Sequence, residues 1–367
     1  MRHILKPTID MELQKLTVVI LSKDRNKELS HTINYWSKTT STIVVIHDAK
    51  TPLDSKNFSP NIFYVNSNAH IIDRLEIALT YIFTPYTVIC NDDEIFLINP
   101  LLKFIGYLDR EKDIEAVGGQ VLAYNWAGSQ LLANRIYPFL EDFTNIDLIP
   151  MNRIKKTFDI KNVMDLTLVY RSGQFRDIVN CTKNFSKFTT PVMYETMFAL
   201  FSSYYCRTTR MKDIYWMRNW FTPFQNFDVW NRGLTWGEWC NHQRFNVERT
   251  EWRKIMIQLL RDMGDFPNSQ IEPLVEYLLK WEAIGTNKNK RGSRKLFRWG
   301  RLKNTIKLVI PNFLVRKIKK SIPFMRKNSM PDFNSLINIH NNFSQITRED
   351  LEKFRDFVYH QKMLMKK

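Results

Sequence analysis

The sequence predicts an α/β fold: a mostly parallel sheet with helices on both faces, plus a helical C-terminal extension. Three observations carry this. Short β-branched apolar runs alternate, over the first half of the chain, with segments whose apolar residues recur every three or four positions. Three of those runs end in polar or acidic residues, at Ser22 to Arg25, at Asp48 and at Asn91 to Glu94. After residue 245 the pattern changes to helices.

The elements follow in order. "LTVVIL" (16–21) reads as a buried parallel strand ending in "SKDR", and a helix-period segment follows with Leu29, Ile33 and Trp36. "TIVVIHD" (42–48) is a second strand and "NIFYV" (61–65) a third. "IIDRLEIALTYIF" (71–83) has helical spacing, and "YTVIC" (86–90) is a fourth strand that runs into the acids. "PLLKFIGYLD" (100–109) is helical again, and "IEAVGGQVLAY" (114–124) reads as strand, turn, strand. Helices are expected at 253–263, 271–284 and 348–365, the last capped by Thr347 with Asp350 three residues on.

Hydrophobic content of 44% and charged content of 25% over 367 residues fit a globular chain with a sizeable core. The four cysteines have no paired or metal-ligand spacing, and "MRHILKPTIDMELQKL" is too polar for a secretory signal, so a cytoplasmic protein with reduced thiols is expected. No apolar run approaches the roughly 18 to 20 residues that cross a bilayer. The net charge of +17 is concentrated: fifteen Lys and Arg and no acid lie between Glu282 and Asp332. The rest of the chain is nearly neutral, which argues against reading the whole protein as a nucleic-acid binder.

In parallel α/β sheets ligands bind beyond the carboxyl ends of the strands. Clustered carboxylates at that edge repel one another, so "NDDE" (91–94) needs a cation, a basic group or free solvent beside it. Mg²⁺ and Mn²⁺ prefer carboxylate oxygens and bridge phosphates, which makes the cluster a candidate metal site. "LTVVILSKDRNKELSHTINYW", "STIVVIHDA" and "DRLEIALTYIFTPYTVICNDDEIFL" occur in an order that resembles the nucleotide-binding half of inverting, family-2-like glycosyltransferases of the GT-A fold. The resemblance covers about residues 16–125 well and 126–245 loosely.

That resemblance implies a GT-A-like catalytic domain over 1–245, with 16–125 binding a nucleotide-sugar donor and 126–245 on the acceptor side. It implies donor binding by Ser22, Lys23, Asp24, Arg25 and Asp48 around base and ribose, with Arg74 near the diphosphate. The acidic triplet falls on Asn91, Asp92 and Asp93, so Asp93 is the expected ligand of Mn²⁺ or Mg²⁺ and Asp92 lies near the ribose or metal. Asn91 departs from the usual Asp, and a register with Asp92 and Glu94 as the outer pair remains open. An inverting transferase needs a base for the acceptor hydroxyl. In "FTTPVMYETMFALFSSYY" (188–205), Thr190 suits an N-cap, Pro191 the first helical position, and Glu195, one turn in, is the candidate base. His242 could complete the metal shell.

Five of the ten tryptophans lie between 216 and 239. Their faces suit a sugar acceptor, with core packing as the rival, and Trp216, Arg218 and Trp220 are the acceptor-side candidates. Beyond the catalytic part, 246–285 reads as a helical extension, 286–330 as a basic amphipathic segment and 331–367 as a helical tail. Cations interleaved with Leu296, Phe297, Trp299 and Ile306 suit an anionic membrane surface, on the inner face of the cell membrane, where a glycan or lipid-linked glycan acceptor is elongated. No nucleic-acid partner is expected. A nucleotidyltransferase on a similar sheet and a nucleic-acid binder using the basic segment are the alternatives.

Overall fold

The computed structural model describes residues 11–127, 130–137, 140–159, 164–188, 190–219, 236–280 and 346–364. β1 (Leu16–Lys23) lies between β2 (Thr42–Asp48) and β4 (Tyr86–Asn91), parallel to both, and β3 (Ile62–Asn66) adds parallel to β2. The sheet continues through β5 (Ile95–Phe96), β6 (Ala116–Ala127), β7 (Gln130–Ile136), β8 (Val169–Arg171) and β9 (Thr208–Asn219). Its nine strands run in the order β3-β2-β1-β4-β8-β6-β9-β5, with β7 paired to β6. Contacts of β8 with β4 and β6, of β7 with β6 and of β5 with β9 are antiparallel, so the sheet is mixed, with six strands pointing one way.

Side chains alternate along each strand and fill a core on each face. Val18, Ile20, Ile43, Val45 and Val88 pack on one face with α1 (Asn26–Trp36) and α3 (Ile98–Arg110). Val19, Val44, Ile46 and Ile89 pack on the other with α2 (Ile71–Leu79), α4 (Pro150–Asp159), α5 (Ser172–Lys183) and α6 (Pro191–Tyr205). Burial on both faces is why these strands read as unbroken apolar runs rather than alternating ones. The expected two-sided α/β sheet is the architecture observed.

The described helices from Trp236 onward belong to the same two cores. α7 (Trp236–Asn241), α8 (Asn246–Met263) and α9 (Asn268–Lys280) cover the α6 side, where Trp236 and Trp239 stack at 4.9 Å and both meet Trp252. Two of the clustered tryptophans are therefore core residues. α10 (Arg348–Leu364) returns to the opposite face and buries Leu351, Phe354, Phe357 and Val358 against α1 and β6. Thr347 caps it as expected, accepting from the Asp350 amide at 3.2 Å. The basic segment 286–330 and Trp220 lie outside the described residues. Among the described residues no helix is long and apolar enough to cross a membrane.

One expectation fails. "IEAVGGQVLAY" is not two strands joined by a turn but the single strand β6, with register shifts against β9 on both sides of Gln120. The glycines serve close approach instead: a Cβ on Gly119 would lie 2.4 Å from the Asp213 carbonyl oxygen, and one on Gly118 2.4 Å from Leu168 Cδ2.

Candidate active site

The parallel register aligns the ends of three strands. Lys23 lies opposite Asp48 and Leu21 opposite Asn91, so the residues after β1, β2 and β4 meet at one edge of the sheet. The turn after β1 is built by Asp24, which adopts a left-handed backbone (φ 51°), and its amide donates to the Asp48 carbonyl at 2.8 Å. Asp is among the few non-glycine residues that tolerate this conformation, and such outliers gather at functional sites. Lys23 Nζ pairs with Asp48 Oδ2 at 2.9 Å. Arg74 reaches from α2 and donates from Nη1 to the Ser22 carbonyl at 2.6 Å, bracing the same turn.

Asp92, Asp93 and Glu94 are all buried, so solvent does not relieve their repulsion. Two arginines do. Arg25 spans the aspartates, Nη1 to Asp92 Oδ1 at 2.6 Å and Nη2 to Asp93 Oδ2 at 2.9 Å. Arg218, on β9, brings Nε to 3.3 Å from Glu94 Oε1. Neutral donors add to this: Ser22 Oγ donates to Asp92 Oδ2 at 2.7 Å, and Asn91 Nδ2 and Trp216 Nε1 each donate to Glu94 Oε2 at 2.7 Å. Thr32 Oγ1 holds the Asp92 carbonyl at 2.7 Å.

Compensation is incomplete. Burial, then the Asp93 charge, pushes the Asp92 carboxyl above the usual carboxylate range against the pull of Arg25 and Ser22. Burial and Asp93 do the same to Glu94, against Arg218, Asn91 and Trp216. Burial draws the Arg25 guanidinium down, but Asp92 and Asp93 together hold it above its ordinary value.

Glu195 lies on α6, whose first residue is Pro191; Thr190 occupies the N-cap position but makes no capping bond. More than a third of its surface is open to solvent, yet it is surrounded by protein, and that enclosure raises its carboxyl while Arg218 opposes the rise. Arg218 also donates from Nη1 to the Tyr137 hydroxyl at 2.7 Å and lies over the Trp216 ring at 5.3 Å. Tyr137 is held at φ 56°, unusual for so bulky a residue.

A single network of contacts therefore joins Ser22, Lys23, Asp24, Arg25, Asp48, Arg74, Asn91, Asp92, Asp93, Glu94, Trp216 and Arg218, with Glu195 facing Arg218. Trp216 is only 2% exposed and serves the acids through its indole N–H rather than offering an open face. His242 stands apart: exposed at the head of α8, it accepts the Arg244 amide on Nδ1 at 3.2 Å. Among the described residues no three His, Cys, Asp or Glu side chains are grouped to hold a metal. Mg²⁺ and Mn²⁺ at phosphate sites commonly take one or two carboxylates and leave the remaining positions to phosphate and water, and adjacent Asp92 and Asp93 fit that chemistry. Sequence reasoning missed Tyr137, which has no motif around it, and the role of Arg25 over the aspartates.

Comparison with known proteins adds a likeness in shape. The chain is similar to structures of S. aureus TarS. It superposes on TarS 1-349 with a TM-score of 0.49 at 9% identity, covering 96% of this chain and 92% of that one. The same protein in complex with UDP-GlcNAc gives 0.49 at 10% identity, covering 93% and 90%. A further TarS structure gives 0.44 at 12% identity over 73% and 53%. No protein-family model matches the chain, and no curated protein sequence matches it.

Proposed function

We propose that the protein is a metal-dependent, inverting glycosyltransferase of the GT-A type that moves a sugar from a nucleotide donor to a surface glycan. The observation that carries this reading is the meeting of Ser22, Arg25, Asp48, Asp92 and Asp93 at the carboxyl edge of β1, β2 and β4. A dense anion such as a nucleoside diphosphate suits that edge, where Lys23, Arg25 and Arg74 converge.

A bound Mg²⁺ or Mn²⁺ would neutralise the diphosphate leaving group. Asp93, and Asp92 beside it, would hold that ion through carboxylate oxygens. Asp48 and the Asp24 turn would take the base and ribose. Glu195 accepts the proton of the acceptor hydroxyl as the oxygen attacks the anomeric carbon, and its raised carboxyl makes it a stronger base than an ordinary glutamate. Arg218 would hold the Tyr137 hydroxyl on the acceptor side, and its charge opposes the rise of the Glu195 carboxyl. Transfer of the sugar inverts the anomeric centre and leaves the nucleoside diphosphate behind.

The acceptor in this reading is a glycan or lipid-linked glycan, and the basic stretch 286–330 lies against an anionic membrane surface. Roughly 1 kcal/mol per basic residue near such a surface would favour binding at low salt. The test is a donor screen. Nucleotide sugars, UDP-GlcNAc first, are incubated with the protein and Mn²⁺, and release of nucleoside diphosphate and thermal stabilisation are read. No release and no stabilisation by any nucleotide sugar would overturn the reading.

A further inference from the structure

We propose that Arg25 is an internal substitute for the divalent cation: it bridges Asp92 and Asp93 while donor is absent and releases them when a nucleoside diphosphate arrives with its own cation. Its guanidinium then turns to the diphosphate. The inference rests on the glycosyltransferase reading, because it requires a diphosphate ligand at this edge.

The geometry of the bridge is the first support. A guanidinium paired with one carboxylate usually presents two parallel N–H groups to it. Arg25 instead splits its two terminal nitrogens, one on Asp92 at 2.6 Å and one on Asp93 at 2.9 Å. That is the placement of a shared cation. The aspartate side chains are 5% and 9% exposed, so a counter-charge must come from within the protein or from a ligand.

The position of Arg25 is the second. It occupies the N-cap position of α1, directly after the left-handed Asp24, and its side chain keeps 19% of its surface exposed. Its Nε is buried and has no hydrogen-bond partner. The neighbouring cations are engaged elsewhere: Lys23 with Asp48, Arg74 with the Ser22 carbonyl, Arg218 with Glu94 and Tyr137. Among the described residues Arg25 is the cation seen bridging both aspartates.

Metal alone must then push the guanidinium off two carboxylates toward solvent, with no new anion to receive it. Metal arriving with a diphosphate gives the guanidinium phosphate oxygens that match its fork. Cation and nucleotide should therefore bind with strong mutual cooperativity, and the cooperativity should depend on Arg25.

The test measures Mn²⁺ binding to the full chain from the paramagnetic resonance signal of free Mn²⁺, with and without UDP, corrected for Mn²⁺ held by UDP in solution. Wild type is expected to bind Mn²⁺ alone weakly and at least tenfold more tightly with UDP. Arg25→Gln should bind Mn²⁺ alone at least tenfold more tightly than wild type, with the gain from UDP reduced. Arg25→Lys, which keeps the charge but loses the fork, should fall between them, and it serves alone if Arg25→Gln does not fold. Equal Mn²⁺ affinity of wild type and the folded variants without UDP overturns the inference. If wild type still binds Mn²⁺ and UDP together in that case, the glycosyltransferase reading survives. Failure of every form to bind UDP with Mn²⁺ overturns both.

Discussion

Ser22 Oγ donates to Asp92 Oδ2 across 2.7 Å, joining the turn after β1 to the acids after β4, 70 residues later. Both groups are buried, so the bond has no ready replacement from water. Ser22→Ala would leave a buried carboxylate oxygen short of a donor, at a cost of about 1–3 kcal/mol. Urea unfolding is expected to show that loss, together with weaker Mn²⁺–UDP binding. Unchanged stability would mean that the contact contributes little.

Glu195→Gln keeps the shape of the side chain and cannot take a proton. Sugar transfer should fall by roughly 10²- to 10⁴-fold while donor binding persists. Rate and binding must be measured on the same preparation. If transfer persists in this variant, the base lies elsewhere.

Asp93→Ala removes one of the two proposed cation ligands and half of the partner set of Arg25. Turnover should drop by two to three orders of magnitude or more, the scale of a few kcal/mol of charge stabilisation in a leaving-group site. Full activity of wild type in excess chelator would contradict metal dependence directly.

The raised carboxyls give opposite pH slopes. A carboxyl whose folded pKa lies above its unfolded value binds more protons in the folded state, so its contribution falls as pH rises through that window. Wild-type stability relative to Glu94→Gln should therefore decline from pH 5 toward 8, by at most about 1.4 kcal/mol per pH unit for one proton. Mn²⁺–UDP binding should instead strengthen over the same range, because the Asp92 carboxyl, raised by burial, must lose its proton to ligate. Denaturant titration and binding isotherms at matched pH check both slopes. A wild-type advantage that grows with pH would refute the first.

Asp350 places α10 within the folding unit. Buried to 1% exposure, its carboxylate accepts from the Ile98 amide at 3.1 Å, from Asn99 Nδ2 at 3.0 Å and from Thr347 Oγ1 at 2.9 Å. The first of these satisfies an open amide at the start of α3. Asp350→Ala should destabilise the whole domain by about 1–3 kcal/mol in one cooperative transition. A separate early transition would mean that α10 unfolds by itself.

The strands were legible because burial on both faces leaves uninterrupted β-branched runs, and the edge was legible because three of them stop on Ser22, Asp48 and Asn91 to Glu94. What neutralises the acids was not. Trp216 meets Glu94 across 122 residues and Arg25 meets Asp92 across 67, and no local period records such pairings. Gly118 and Gly119 misled for a related reason: a tight turn and a close approach both demand glycine, and only the position of Asp213 and Leu168 distinguishes them.

α9 and α10 are seated on opposite faces of the sheet, and residues 281–345 connect them. Whatever that connection binds, it is fastened to the domain at both ends, like the handle of a pail rather than a leash. A surface held by the handle would restrict the tilt of the domain as well as its distance, and so would set which way the acidic edge faces. Cutting the chain near Gly285 would also strip Phe354 and Phe357 from the core, so loss of membrane binding in such a truncation would be confounded with unfolding. Replacing the cations of 288–327 with neutral residues, with α10 left in place, separates the two effects.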